Sequence, residues 1–279
     1  MMHAIEIAVE AARAAGAVIR RNADAVGAVR SKSTAIDLVS ETDIAAGVAA
    51  VRLILDRDPH ACFVVEEDEV YDLTGAERGA LDAERVWVID PIDGTTSFLH
   101  HYPCYSVSIA LLESGEPVAG VVYNVALDEM NTAVAGQGAF RDGVRLAVDD
   151  DVALARAVLV TGFPYDRGAV LERQLDAVAA FLRYPVQDLR RDGSAAVDCC
   201  HVAGRRCDGF WEYGLRVWDM AAGVLVLREA GARVTDVEGA DWTISSTSIC
   251  AAPPALHAQM RSVLQTANAL TEARLRPAQ

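Results

Sequence analysis

Lysine is almost missing from this chain of 279 residues. Lys32 is the only one, and every other basic side chain is arginine. A coding bias toward arginine accounts for the total but not for the single lysine kept in Ser31-Lys32-Ser33-Thr34. A compact ammonium is not equivalent to a planar guanidinium near a metal. Positive charge is scarce altogether: 25 Lys and Arg against 40 Asp and Glu leave a formal net charge of −15. That balance excludes a main task of gripping nucleic acid or an anionic membrane. It also disfavours an anionic substrate unless bound cations reverse the local field. No run approaches the roughly 18 apolar residues of a membrane span. The apolar N-terminal stretch carries Glu6, Glu10 and Arg13, unlike a secretory signal, so a cytoplasmic location and no membrane partner are expected. The six cysteines include no Cys-x-x-Cys pair and no zinc spacing. They read as reduced, buried thiols acting as small hydrophobes. Repeats, low-complexity tracts and flexible linkers are absent too. A hydrophobic content of 52% suffices for a sizeable core. One unit over residues 1–279 is expected, with halves of about 1–150 and 151–270 sharing a single site.

The most informative stretch is Trp87-Val88-Ile89-Asp90-Pro91-Ile92-Asp93-Gly94-Thr95-Thr96-Ser97-Phe98. An apolar run, fit for a buried strand, ends in two carboxylates three residues apart. Pro91 and Gly94 force a tight loop there. Like charges held that close repel, and a hard divalent cation relieves them. An all-oxygen site of this kind suits magnesium, which usually takes a few carboxylates plus substrate phosphate oxygens. Gly94, Thr95 and Thr96 add backbone N–H groups and two hydroxyls. The combination reads as a metal-assisted phosphate site.

Around it, the periodicity predicts an amphipathic helix over 4–22 and a second helix to about Asp58, capped by Thr42 or Asp43. A strand over 62–65, a polar loop over 71–84 and a strand over 85–90 follow. Then comes a meander of antiparallel strands: 106–113, 117–125 and 130–135, with turns at Ser114-Gly115-Glu116, Gly136-Gln137-Gly138 and Arg141-Asp142-Gly143. Beyond the acidic run at 149–151, strands at 158–161, 186–189 and 208–212 alternate with helices over 169–183, 193–202 and 217–229. Weak strands at 233–235 and 248–251, a helix from Pro254 to about Thr266 and a frayed tail complete the chain.

The metal motif, Asp90 through Phe98, resembles the signature of the inositol monophosphatase family. Trp218-Asp219-Met220-Ala221-Ala222-Gly223 is similar to that family's second signature. Lys32 through Asp43 resembles its N-terminal flap and the acid behind it, and Gly193-Ser194-Ala195-Ala196 its substrate loop. Four motifs in the right order make the resemblance specific. It implies an α+β fold, a layered α-β-α-β-α sandwich with mixed, largely antiparallel sheets, and a homodimer. It implies a lithium-sensitive phosphomonoesterase holding two or three Mg2+ ions per site. Glu67, Asp90 and the Ile92 carbonyl would hold one ion. Asp90, Asp93 and Asp219 would hold a second. Thr95, relayed to Asp43, would orient the water nucleophile. Gly94, Thr95 and Thr96 would present N–H groups to the phosphate. Gly193, Ser194, Ala195 and Glu212 would meet the alcohol half of the substrate, inositol 1-phosphate or a related sugar or polyol monophosphate. Histidinol phosphate, fructose 1,6-bisphosphate and adenosine bisphosphate are alternatives, as is a regulatory binding protein on the same fold.

Other readings of the same residues stay open. Glu66 can replace Glu67 as the ligand, since both lie in a run of four acids. Asp219 can serve only as a helix cap. His100 and His101 lie beyond Phe98 and read as surface residues. Either Arg190 or Arg191 faces the substrate or a partner subunit. Ser194 is not read as a nucleophile, because no His-Asp relay accompanies it. Val65, Ser97, His101, Cys104 and Val217 depart from the family pattern without removing an expected ligand.

Overall fold

A computed structural model of the chain describes residues 2–23, 28–32, 38–184 and 186–275. In chain order, helix α1 (Met2–Asn22) leads to strands β1 (Val29–Ser31) and β2 (Leu38–Ser40), helix α2 (Glu41–Arg57) and strand β3 (Cys62–Val65). Helix α3 (Glu69–Thr74), strands β4 (Glu77–Arg78) and β5 (Val86–Asp93) and helix α4 (Thr95–Leu99) follow. The meander is β6 (Ser106–Glu113), β7 (Glu116–Asn124), β8 (Glu129–Val134), β9 (Gly138–Arg141) and β10 (Val144–Arg145). The second half runs β11 (Val158–Thr161), α5 (Ala169–Arg183), β12 (Asp188–Arg190), α6 (Ala195–Ala203), β13 (Gly209–Tyr213) and α7 (Val217–Glu229). It closes with β14 (Arg233–Thr235), β15 (Ser248–Ala252) and α8 (Pro254–Leu275).

These elements stack in five layers. An eight-stranded sheet runs β10-β9-β8-β7-β6-β5-β3-β4, and a five-stranded sheet runs β12-β11-β13-β15-β14. Helices α1 and α2 cover one face of the large sheet, α6 and α7 lie between the sheets, and α5 and α8 cover the outer face of the small one. The order is therefore α-β-α-β-α, and most strand pairs are antiparallel, as the resemblance implies. Each inter-layer space has its own apolar filling. Ala4, Ala8, Ala11 and Ala15 recur on one face of α1 and are buried against Ala46, Ala50 and Ile54 of α2. Small side chains on both helices let them approach closely. The middle layer is apolar nearly all round: nine residues of α7 are buried, because it is sandwiched between two sheets. Strand β5 is buried along its whole length, which explains why its sequence shows no alternation.

The strand expected over 186–189 lies at Asp188–Arg190, and β1, α4, β9 and β10 are additions to the expected elements. Three further differences have a physical reason. The expected polar loop over 71–84 holds β4 and most of α3, which begins at Glu69. Val70 is fully buried there, and the Tyr71 hydroxyl donates to the Phe63 carbonyl at 3.0 Å while accepting from Val65 N at 2.8 Å. A single turn is too short to show helical periodicity. The final helix continues past Thr266 to Leu275, where Asn268 and Thr271 are buried. Their side chains engage Tyr213, Glu238 and Asp176, so polar residues occupy the inward stripe and hide it. The cap of α2 is Ser40, not Thr42 or Asp43. Its hydroxyl accepts from Asp43 N while the Asp43 carboxylate accepts from Ser40 N at 2.9 Å, a closed capping box. Residues 33–37 of the expected flap and 276–279 of the expected tail lie outside the described residues.

Candidate functional site

The geometry of the metal motif follows from one irregularity in β5. Residues three apart on a regular strand point to opposite faces. Here Asp90 pairs with Ser108 and Asp93 with Ser106, so the register shifts between them. Three residues stand opposite two, and the extra residue reverses the parity. Pro91 sits inside the bulge, where a missing N–H costs no ladder bond. Asp90 and Asp93 thus share a side. Asp219 reaches them from the first turn of α7, and carboxylate oxygens of all three lie within 4.8 Å of one another.

Each carboxylate is held from behind. Ile92 N donates to Asp90 Oδ1 at 3.0 Å. Asp93 Oδ2 accepts from Ser194 Oγ at 2.6 Å and from Ala196 N at 2.7 Å. Asp219 Oδ2 accepts from Arg216 N at 2.7 Å, so Asp219 caps α7 and faces the cluster at once. Burial, joined by repulsion among Glu66, Asp93 and Asp219, holds Asp90 well above the usual carboxylate range. Burial and the charges of Asp93 and Glu66 do the same to Asp219. Burial lifts Asp93 to about 6 against the hydrogen bonds from Ser194 and Ala196. Three acids so placed repel unless protonated or occupied by a cation. The donor set is all oxygen, which fits a hard divalent ion.

Lys32 is the one described ammonium near this cluster. Its Nζ lies 2.6 Å from Glu66 Oε1 and 2.5 Å from Glu67 Oε1. Of the two glutamates, Glu66 lines the cleft with Asp90, Asp93 and Asp219. Glu67 is buried, and burial with the charge of Glu66 raises it to about 7. The structure thus turns Glu66, rather than the expected Glu67, toward the three aspartates.

Thr95 stands at the start of α4 with its Oγ1 2.9 Å from Asp43 Oδ1 and 3.1 Å from the Ile92 carbonyl. Asp43 is buried, and burial raises its carboxyl against hydrogen bonds from Ser40 and Thr95. The turn into α4 requires Gly94. Its φ is +96°, and a Cβ there would stand 2.8 Å from the Gly193 carbonyl oxygen. The metal loop and the substrate loop therefore touch backbone to backbone.

The cleft above the cluster has a volume of about 1170 Å³. Asp90, Ile92, Asp93, Gly94, Thr95, Gly193, Ala195, Glu212 and Asp219 all line it. Asp43, Glu67, Thr96 and Ser194 do not. Ser194 is 1% exposed and spends its hydroxyl on Asp93 and on capping α6 through Val197 N, so it positions rather than contacts. Glu212 is buried at the end of β13. Burial, aided by Asp219 and Asp93, pushes it up to about 8. Arg190 pairs with Asp188 at 2.6 Å, whereas Arg191 lines the cleft. The choice between the two arginines depends on the pairing of β12 with β11, which one sequence does not display. The outer rim, with Phe163, Tyr165, Arg173 and Arg216, was not singled out from the sequence. The turn at Gly162-Phe163-Pro164 after β11 is the only local signal for it. His100 and His101 are exposed and away from the cleft. The six cysteines are free and five of them are buried.

Comparison with known proteins bears on the family and the fold. The model of the inositol monophosphatase family matches residues 1–269. A protein named Nus factor SuhB from Haemophilus influenzae is 39% identical over 250 residues, 89% of this chain and 91% of that one. An inositol-1-monophosphatase from Synechocystis is 37% identical over 260 residues, 93% and 88% of the two chains. Among solved structures, the extragenic suppressor protein SuhB from Bartonella henselae has a TM-score of 0.86 at 36% identity, covering 94% of this chain and 98% of that one. Inositol monophosphatase from Anabaena has a TM-score of 0.83 at 35% identity, covering 95% and 96%.

Proposed function

The chain belongs to the inositol monophosphatase family, and on that premise we propose that it is a magnesium-dependent phosphomonoesterase. Its substrate is inositol 1-phosphate or a related sugar or polyol monophosphate. The observation that carries this reading is the trio Asp90, Asp93 and Asp219, gathered within 4.8 Å at the floor of a large cleft. The ligands are these three, the Ile92 carbonyl and Glu66, which faces the cleft where Glu67 does not. When bound, divalent ions neutralise the carboxylates, polarise phosphate oxygens and acidify a water.

The chain's own residues supply the rest. Thr95 Oγ1 donates to Asp43 Oδ1 and accepts from the attacking water, so a proton leaving that water passes toward a carboxyl already raised by burial. The N–H groups of Thr95 and Thr96 lie in the first turn of α4, where a helix offers them no acceptor. They are free to hold phosphate oxygens. Gly193 and Ala195 form the floor under the alcohol. Glu212, near 8 without cations, can donate to or accept from its hydroxyls. Both halves of the chain build this one site, in a cytoplasmic homodimer inhibited by lithium. Phosphate release measured with and without magnesium tests the reading. Release that ignores chelator, or full activity in lithium at tens of millimolar (roughly the range for a weak-site competitor), would refute it. A panel of phosphate esters ranked by kcat/KM then identifies the substrate.

A second reading is a regulatory binding protein on the same fold, favoured by the name Nus factor that several relatives carry. With a net charge of −15, such a role runs through a protein rather than through direct contact with nucleic acid. An Asp90→Asn chain that keeps full regulatory effect without phosphatase activity would separate the two roles.

A further inference from the structure

Behind the substrate loop lies a second cluster that the phosphatase reading does not use. Asp192 comes from the loop after β12, and Asp198 and His201 from α6. Spaced three apart, the latter two share a helix face. His201 Nδ1 stands 3.5 Å from Asp192 Oδ2 and 3.9 Å from Asp198 Oδ1, and one ligand atom from each residue lies within 4.8 Å of the others. Asp198 is 1% exposed, yet neither of its carboxylate oxygens has a hydrogen-bond partner among the described residues. A buried carboxylate without a partner is strongly unfavourable, because nothing replaces the water it has given up. The neighbouring acids Asp192, Asp93 and Glu212 make it worse, with Arg191 as the opposing charge. Asp192 and His201 are themselves largely enclosed, with side chains 21% and 15% exposed.

We propose that Asp192, Asp198 and His201 form a separate binding site for a divalent transition metal, with Zn2+ the best fit. The donor spacing supports it. Bonds of about 2.0–2.2 Å to a tetrahedral zinc set its ligand atoms roughly 3.4 Å apart, and never more than about 4.2 Å. The two measured His201 distances fall in or beside that range. An imidazole among carboxylates favours zinc, cobalt or nickel over magnesium, which separates this site from the all-oxygen cluster in the cleft. An ion there would neutralise Asp198 and tie Asp192 to α6, bracing the loop that carries Gly193 and Ser194.

The test is zinc binding by the full chain, with excess Mg2+ present, read by equilibrium dialysis, together with the proton NMR spectrum of the Co2+-loaded protein. Parent, Asp198→Asn and His201→Gln are compared. His201→Gln changes a partly accessible side chain, and Asp198→Asn keeps size while removing charge. The parent should bind one more equivalent of Zn2+ than either variant. Removing a group that only orients a ligand already costs about 10–100-fold in metal affinity, so each variant should lose at least that. The Co2+ form should show a shifted, exchangeable imidazole proton that His201→Gln abolishes. Equal zinc stoichiometry and affinity in the parent and either variant overturns the site. So does zinc binding that disappears with His100→Gln and His101→Gln but survives His201→Gln, since it would then belong to the exposed pair.

Discussion

The two sheets meet the same cleft with different equipment. The eight-stranded sheet and the helices packed on it bring carboxylates whose positions are written into backbone: a bulge in β5 re-aims Asp90 and Asp93, a capping box on α2 fixes Asp43, and Ile92 N and, from α6, Ala196 N steady the oxygens. The five-stranded sheet brings a pocket wall whose position depends on side-chain packing. Strands β11 and β13 run parallel and end beside the cleft at Gly162 and Glu212, where one carboxylate leans on one glycine. The first arrangement tolerates no change of charge. The second tolerates change but answers it with altered fit. Chemistry should therefore fail through the large sheet and recognition through the small one.

The largest effect is expected from Asp90→Asn. It keeps the shape and the hydrogen bond from Ile92 N but removes one of the carboxylate charges gathered there. Metal-supplied charge stabilisation is worth several kcal/mol, and each 1.36 kcal/mol is tenfold in rate. The variant should lose at least about a hundredfold in kcat with KM much less affected. Steady-state kinetics at several magnesium concentrations check this, and kcat near the parent's would remove Asp90 from the metal site.

Gly162→Ala probes the opposite wall. A Cβ there would stand 2.2 Å from Glu212 Oε1 and 2.4 Å from its Cδ. The carboxylate must swing away, and overpacking of this kind costs about 1–3 kcal/mol. KM should rise by about tenfold while kcat stays within about twofold. Equal losses in kcat would show that Glu212 serves the chemical step and would dissolve the division between the sheets.

Lys32 probes the counter-charge beside these carboxylates. The ammonium bridges Glu66 and Glu67, with all three side chains mostly enclosed. Removing one partner of a buried pair costs about 3–5 kcal/mol, and the remaining 21% exposure of Lys32 brings this nearer 2. Lys32→Gln should therefore lower Tm in chelator. Saturating magnesium should recover much of the loss, because a ligand binding only the folded state stabilises it by mass action. Lys32→Arg should shift the magnesium titration, since a planar fork cannot sit as a point between two carboxylates. An unchanged titration would return Lys32 to coding bias.

Much of this was legible in the sequence because the signals are local. The boundaries of β3, β11, α5 and α7 follow from periodicity alone. Asp90 and Asp93 announce themselves by sitting where an apolar run stops, and Asp219 by the resemblance of its motif to the family's second signature. Parity was the hidden part. Nothing local to Asp90-Pro91-Ile92-Asp93 says that the partner strand contributes two residues where this one contributes three. The same blindness affects adjacent twins. Glu66 and Glu67 both reach the Lys32 ammonium, yet only Glu66 lines the cleft, and of Arg190 and Arg191 only Arg191 does; one sequence does not display which of two neighbours is turned inward. Asp198 was invisible for another reason: its helix is apolar around it, and only burial shows that the carboxylate has no partner.

The smallest expected effect lies away from the cleft, in the small sheet's own packing. His257, on α8, is buried with Nε2 3.0 Å from Thr235 Oγ1. Burial, aided by Arg233 and Arg261, lowers it from an ordinary 6.5 to about 4. A depressed histidine is neutral when folded, while the unfolded chain takes up a proton below 6.5. Its contribution to stability is thus complete above pH 6.5 and is lost as pH falls toward 4. Screening by solvent leaves about 1 kcal/mol at stake. His257→Gln keeps a hydrogen bond to Thr235 without the titration. Its urea midpoint should fall less steeply than the parent's between pH 6.5 and 5, with the two curves parallel above pH 7. Parallel curves throughout would remove His257 from the acid limb, which the buried carboxyls beside the cleft cannot supply either, because groups raised by burial add stability as pH falls.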